Sequence, residues 1–468
     1  MSRTMVLRLF IIGLVAVGLL RACQPAPAAS ANTVDPITKP TAQPAAKPAI
    51  EAVDEPPAGL GRLTADYPAE VVEAWFELEL KLIQKTMGFS PPVASRALGY
   101  SGLTLYEAVV NGMPGYQSLA GQLEGLEVLN AAGMAYNWGA VANSALANAI
   151  RLYFPTAPPE YLAEVNALET QWYRAYESMD GASMARSAAY GKAVAEGIYR
   201  YSITDGGHEG FGRNFPVSYI SPTGDGLWVP TSKQLIPLQP YWGNNRPFAL
   251  PANDACAPAP PPEYSTDPAS AFHAEAQEVY DVTTALTEEQ TAIAKFWADG
   301  NLTYTPPGHS IALTTLALRT EQANLAFAAE AYAKVGMGVS DAFISVWQAK
   351  FTYNLLRPVT YINAIIDPAW KPLILTPPFP EYTSGHSGQS GAAAIILTAL
   401  FGDNYAFTDT THADLGFPDR FFGSFHEAAA EAAISRLYGG IHYRAAIELG
   451  ILQGNCVGEA VLALQFTK

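Results

Sequence analysis

Cysteine is scarce in this chain: three residues in 468 cannot staple a disulfide-rich scaffold or build a cysteine-ligated zinc or iron–sulfur module. Basic residues are also few, 27 against 43 acidic, for a net charge of -16. No local Lys/Arg cluster offsets that balance, so no field exists to hold a phosphate backbone, and nucleic acid is excluded as a partner. Apolar runs of about 20 residues, the length a membrane-spanning helix needs, are missing after the first two dozen residues. Runs of alternating strand character are missing too. What is present is a hydrophobic share of 49% with only 15% charged residues, enough apolar surface for a large buried core.

The N-terminus reads as an export signal rather than as part of the fold. Arg3 and Arg8 precede the apolar run Leu9 to Leu20, and Arg21 stops it. Such a run is too short to span a bilayer and has the charge order of a secretory signal. The following Leu20-Arg21-Ala22-Cys23 resembles a bacterial lipobox, although Arg21 is unusual there. This resemblance implies a lipoprotein signal peptide over residues 1–22, cleavage before Cys23 and lipidation of Cys23. A plain signal peptide with an incidental cysteine is the alternative. Residues 23–62 are rich in Ala, Pro, Thr and Glu without an apolar period, so they read as an extended tether. The expected location is the bacterial cell envelope, periplasmic or outer-membrane side, with the membrane touched only through the lipid anchor.

From residue 63 to 468 the helical period dominates. Val71, Trp75, Leu78 and Leu82 form one stripe, and Val194, Ile198 and Tyr201 another. Ser90-Pro91-Pro92 has the form of a helix start, with Ser as cap and Pro in the first turn. Further helices are predicted over 130–153, 159–179, 271–286, 288–299, 311–334, 342–357, 388–400, 424–438 and 443–464, giving an all-α domain. The Gly/Pro-rich, aromatic-rich stretch 204–268 interrupts the pattern and reads as an ordered covering loop. Cys256 lies in it and Cys456 in the last helix; the sequence leaves open whether they pair.

The chemistry concentrates in residues 340–468, in three elements. Lys350 and Arg357, seven residues apart on the helix predicted over 342–357, leave by one face about 10 Å apart, and Pro358 ends that helix. Ser384-Gly385-His386 precedes a small-residue run, an arrangement suited to holding an oxyanion on backbone N–H groups and a hydroxyl. Ser435-Arg436, then five residues, then His442, with Gly439-Gly440 between, lets the histidine turn back toward the arginine. Singly, these read as well as a solvated face, a helix cap and a structural histidine.

Together, Lys350/Arg357-Pro358, Ser384-Gly385-His386 and Ser435-Arg436/His442 resemble the three-part signature of the superfamily that contains type 2 phosphatidic acid phosphatases, bacterial acid phosphatases and vanadium-dependent haloperoxidases. The chain is further similar to bacterial vanadium haloperoxidases over Ser90 to Ala97, Pro237 to Phe248, Phe296 to Gly300 and Thr305 to His309. That resemblance implies a helical-bundle fold of the vanadium chloroperoxidase/acid phosphatase type with vanadate as cofactor. It assigns His442 as the metal ligand, and Lys350, Arg357, Ser384, Gly385 and Arg436 as the groups holding the oxyanion oxygens. His386, Lys350 and His442 are then catalytic, His386 as the acid/base acting on hydrogen peroxide. The implied substrates are hydrogen peroxide, a halide (iodide first, then bromide) and an organic acceptor of unknown structure; a homo-oligomer is left open.

The same residues would serve an acid phosphatase through a phosphohistidine at His442, and an oxyanion-binding protein without turnover is the third reading. Members of the superfamily commonly place an Asp four positions after the ligand His; here that position is Ala446. Another group, for which Glu448 is the sequence candidate, must then orient His442. Tyr382 and Ser387 are candidates for tuning halide preference. His309 is a candidate for the pocket mouth, while His208, His273 and His412 read as surface or core residues.

Overall fold

A computed structural model describes residues 62–468 except 128–130, 132–133, 179–180, 182 and 301–302. The signal peptide, Cys23 and almost all of the tether therefore lie outside the described residues. Thirteen helices are described: α1 Glu70–Lys85, α2 Pro91–Val109, α3 Trp138–Tyr153, α4 Pro159–Glu177, α5 Met184–Ser202, α6 Ala271–Thr284 and α7 Glu288–Phe296 come first. They are followed by α8 Thr305–Thr320, α9 Leu325–Tyr353, α10 Pro358–Ile365, α11 Gly385–Phe401, α12 Phe425–Tyr438 and α13 Arg444–Leu462. The expected all-α class holds, with one addition. Phe407–Asp409 and Arg420–Phe422 pair as a two-stranded antiparallel sheet, Thr408 opposite Phe421.

At 29 residues α9 runs about 43 Å and organises the rest. Along its length it packs against α2, α8, α11 and α13, and α11 lies on α13 in the other most extensive helix pair. The α1 stripe is buried as its spacing predicts: Val71, Trp75 and Leu82 are fully covered. A second apolar cluster gathers Phe272, Tyr361, Tyr382, Tyr443, Ala446 and Ile447 from α6, α10, α13 and the segment before α11.

Several boundaries differ from the sequence reading, each for a local reason. The helix expected over 311–334 is two helices, α8 and α9, parted where Gln322 takes a φ of 52° and Asn324 caps the Phe327 N–H. The one expected over 342–357 is the second half of α9 and stops at Tyr353, because Asn354 adopts the left-handed conformation, φ 48°. Arg357 is consequently not on that helix. It is the N-cap of α10, and Pro358 begins a helix instead of ending one. The helix expected from Gly388 starts three residues earlier, at Gly385. The one expected from residue 130 starts at Trp138, capped by Asn137. Ser90 does precede a Pro-Pro helix start, but its hydroxyl bonds Asn214 Oδ1 at 2.6 Å and does not cap.

Segment 203–270 is irregular as expected, with only two short 3₁₀ turns. It is tied down by Asp341 of α9, whose carboxylate accepts the N–H groups of Phe248 (2.7 Å) and Ala249 (2.7 Å) and, at 3.3 Å, Leu250. Its own Trp228, Trp242 and Phe248 are buried. A disulfide between Cys256 and Cys456, 200 residues apart, fastens it to α13.

One buried carboxyl on α1 predicts a pH effect on stability. Glu79 is fully covered, accepts Ser101 Oγ at 2.8 Å on Oε1 and has no partner for Oε2. Burial pushes it up to about 8 from 4.5, against the Ser101 hydrogen bond. The folded state thus holds a proton that the unfolded state has already lost above its own pKa. The penalty is absent below pH 4.5 and grows as pH rises toward 8. Glu79→Gln is expected to raise the thermal midpoint by about 5 °C at pH 8 and to leave it unchanged at pH 4, read by paired melts.

Candidate functional site

The three sequence elements converge. Lys350 leaves the last turn of α9, Arg357 the start of α10, Ser384 to His386 the start of α11, Arg436 the last turn of α12 and His442 the turn before α13. Lys350, Arg357, Ser384, Arg436 and His442 are all buried, and His386 is half-buried. The α11 start is positioned by its neighbour: Ser384 N–H donates to the Ala446 carbonyl at 2.9 Å, and the Ser384 hydroxyl accepts the Ser387 N–H at 3.2 Å. The N–H groups of Gly385 and His386 are those a helix leaves unpaired in its first turn, and the helix dipole adds positive potential there.

His442 is held in one tautomer by two contacts. Its Nδ1 lies 2.7 Å from Glu381 Oε1, and that oxygen also accepts the Tyr443 N–H at 2.9 Å, so Nδ1 carries the proton and donates. Arg357 Nη1 approaches His442 Nε2 at 3.2 Å from the other side, which requires a lone pair on Nε2. Burial and then the cations Arg357 and Lys350 hold His442 well below the usual histidine range. It is a neutral imidazole whose Nε2 lone pair is met only by Arg357 Nη1, the form that binds a metal centre or acts as nucleophile.

His386 is neutral for related reasons: burial, then Arg436, keep it well below its ordinary value. Its Nε2 is buried with no partner. Arg436 donates from Nη2 to the Trp297 carbonyl at 2.7 Å and from Nε to Ser435 Oγ at 3.0 Å. Arg357 is fixed by Nε to the Phe379 carbonyl (2.9 Å) and Nη1 to the Ile441 carbonyl (2.8 Å). Its Nη2 is left buried without a partner.

Lys350 is turned onto the chain itself. Its Nζ donates to the carbonyls of Pro380 (3.1 Å), Glu381 (2.9 Å) and Thr383 (2.5 Å), which occupies all three ammonium hydrogens. Burial, then Arg357, push it well below the usual lysine range. Lys350 thus clamps the 380–383 segment, and reaching an oxyanion oxygen means exchanging one carbonyl.

Three buried cations and one carboxylate, Glu381, leave this centre with excess positive charge, and uncompensated buried charge is costly. The unpartnered atoms Arg357 Nη2, His386 Nε2 and Ser387 Oγ supply what a tetrahedral or trigonal-bipyramidal oxyanion requires. An oxyanion with an exchangeable nitrogen position therefore fits the residues present.

Known proteins agree. The family model for the VCPO second helical-bundle domain matches residues 330–467. The crystal structure of the first bacterial vanadium-dependent iodoperoxidase is 36% identical, with a TM-score of 0.77, covering 86% of this chain and 98% of that one. The chain belongs to the vanadium-dependent haloperoxidases. Holo and apo structures of a bacterial vanadium-dependent chloroperoxidase share the fold at 14% identity, with TM-scores of 0.62 and 0.61. Those two cover 81% and 79% of this chain, and each is covered to 92%. No curated protein matches it.

Two features of this haloperoxidase site escaped the sequence reading. Glu381 does what the missing carboxylate after His442 would do; the sequence candidate Glu448 instead pairs with Arg444 at 3.4 Å on the exposed side of α13. At position 446 an acidic side chain would enter the apolar cluster around Tyr382 and Tyr443. The carboxylate is supplied from the segment before α11, and its adjacency to the Thr383-Ser384-Gly385-His386 run was the available signal. Burial pushes Glu381 up to about 8, opposed by Arg357 and Lys350. Because Oε1 accepts two N–H groups, any proton resides on Oε2, and the tautomer of His442 is preserved either way. Glu381→Ala is expected to weaken vanadate binding about 10- to 100-fold, with partial recovery in Glu381→Gln, measured by titrating vanadate into stripped enzyme while following iodide oxidation.

The second feature is a buried group of two histidines and two aspartates behind His386. His309 is not at a pocket mouth: it is 1% exposed, between Asp299 and Asp409. His412 is in the core, as expected, 2.8 Å from Asp299, and His273 is a partly buried partner of the Tyr361 hydroxyl.

Proposed function

We propose that the protein is a vanadate-dependent haloperoxidase that uses hydrogen peroxide to oxidise iodide, with bromide as second substrate, to a hypohalous acid equivalent. The observation that carries this reading is the His442 Nε2 lone pair, fixed by Glu381 on one side and turned toward Arg357 on the other. Vanadate, when bound, supplies a Lewis-acidic centre that takes up peroxide and makes it electrophilic toward halide. His442 Nε2 would hold the metal, and Arg357, Arg436, Ser384 and the Gly385 N–H would hold its oxygens and offset their charge. His386, neutral with Nε2 unpartnered, accepts the proton that peroxide gives up and returns it to the departing oxygen. Lys350 keeps the 380–383 segment, and with it Glu381, in place. The 36% identity to a bacterial iodoperoxidase supports iodide, which is also the halide easiest to oxidise.

The protein works, in this reading, outside the cytoplasm, anchored through lipid on Cys23. The Cys256–Cys456 disulfide suits an oxidising compartment, and among the described residues no helix is long and apolar enough to cross a membrane. The test is a paired assay on the domain stripped of oxyanion and then given vanadate or nothing. Peroxide-dependent iodide and bromide oxidation that appears only with vanadate supports the proposal. Hydrolysis of an aryl phosphate, inhibited by vanadate and without halide turnover, would replace it with an acid phosphatase using His442 as nucleophile.

A further inference from the structure

Asp299, His309 and His412 come together behind the oxyanion centre although they are separated in sequence: Asp299 follows α7, His309 is on α8 and His412 follows the first strand. Each Asp299 oxygen faces one imidazole, Oδ2 to His309 Nδ1 at 3.2 Å and Oδ1 to His412 Nε2 at 2.8 Å. The three residues offer donor atoms lying within 4.8 Å of one another, and all are buried.

The outward ring nitrogens are already committed. His309 Nε2 lies 2.9 Å from Asp409 Oδ2 and 3.0 Å from Thr411 Oγ1. The Thr411 hydroxyl donates to Asp409 Oδ1, so it accepts from His309. His412 Nδ1 lies 3.0 Å from the Tyr304 hydroxyl. That hydroxyl donates its hydrogen to the Thr411 carbonyl at 2.7 Å, so it too can only accept from the ring. Both histidines therefore carry N–H on the outward side, with an oxygen acceptor behind each. This is the pattern that orients metal-ligating imidazoles. The inward nitrogens converge on a carboxylate, and a cation seated there meets two imidazole nitrogens and two carboxylate oxygens, a donor set that suits zinc and its neighbours better than magnesium or calcium.

We propose that Asp299, His309 and His412 form a second metal site, for a divalent transition-metal cation of the zinc class, separate from the vanadate site and structural in role. Its effect reaches the catalytic centre through a short path. The carbonyl of Trp297, two residues before Asp299, accepts from Arg436 Nη2 at 2.7 Å, and the Trp297 ring stacks on His309 with centroids 4.6 Å apart. A metal holding Asp299 fixes the turn that aims Arg436.

The test is elemental analysis of the full chain, purified without a metal-affinity step, together with His309→Gln, His412→Gln and His442→Ala variants. About one zinc-class ion per wild-type chain is expected, with about a tenfold or greater loss in His309→Gln and His412→Gln and full retention in His442→Ala. Because the glutamine variants can fail to fold, wild-type protein is also stripped with a strong chelator. Its melting temperature is expected to fall and to return with Zn²⁺ but not with Mg²⁺. Wild-type protein free of transition metal whose melting temperature ignores both chelator and Zn²⁺ would overturn the proposal and leave a histidine–aspartate ion cluster. Metal retained in the folded glutamine variants, or lost in His442→Ala, would overturn it as well.

Discussion

His442→Ala should abolish vanadate-dependent iodide oxidation, a loss of about 10³-fold or more, while the protein remains folded. The substitution deletes the imidazole nitrogen that Glu381 orients for the metal. It leaves the surrounding polar groups largely satisfied: Glu381 Oε1 keeps the Tyr443 N–H, and Arg357 Nη1 keeps the Ile441 carbonyl. His386→Ala makes the informative contrast. It leaves the His442 side of the centre intact and removes a proton acceptor, so vanadate binding should persist while turnover falls about 10²- to 10⁴-fold. Equilibrium dialysis against vanadate, followed by steady-state iodide oxidation on the same samples, separates the two. Vanadate binding retained in His442→Ala would mean that His442 is not the metal ligand.

Gly454→Val should prevent folding, and Gly454→Ala should already cost more than the usual 1–3 kcal/mol or so of an overpacked core. A Cβ at Gly454 would lie 2.0 Å from the Gly388 carbonyl oxygen and 3.0 Å from the Ala392 nitrogen. Both are backbone atoms of α11 and neither has a rotamer through which to yield. Gly450, one turn earlier on α13, is less tightly placed, its Cβ position 2.9 Å from Ser387 Cβ and 3.1 Å from the Ser384 carbonyl oxygen. The glycines therefore let α13 pass directly beneath the turn that presents Ser384, Gly385 and His386. Gly385→Ala is the control, since its Cβ meets nothing nearer than Trp347 at 3.7 Å, and it should melt close to wild type. Thermal unfolding and soluble yield decide the matter.

Much of this was legible in the sequence because the chemistry is carried by short motifs whose internal spacing survives folding. Ser384 to His386 and Arg436 to His442 each lie within one turn region, so their convergence was readable. What was not legible depends on chain reversals. A continuous helical period across 342–357 concealed that Asn354 leaves the helix, and Lys350 and Arg357 meet through a turn and a new helix start, not on one face. The motif assigns Lys350 to an oxyanion oxygen, and nothing in the sequence shows the carbonyls of Pro380, Glu381 and Thr383 folding over it. Glu381 lies 61 residues from His442, and the Asp299/His309/His412 group joins three elements, one of them beside a sheet of three-residue strands that carries almost no period. Pairings of that separation are set by tertiary packing.

The bond between Cys256 and Cys456 makes the stretch between them a closed covalent ring. Lys350, Arg357, Glu381, Ser384, His386, Arg436 and His442 all lie inside it, and so do Asp299, His309 and His412. A single peptide cut in an exposed turn of that stretch, for instance around Asp403 or Asp414, would open the ring without releasing either piece. Every group of the catalytic centre would remain tethered to every other, so against a protease the enzyme carries its own protection from the first nick.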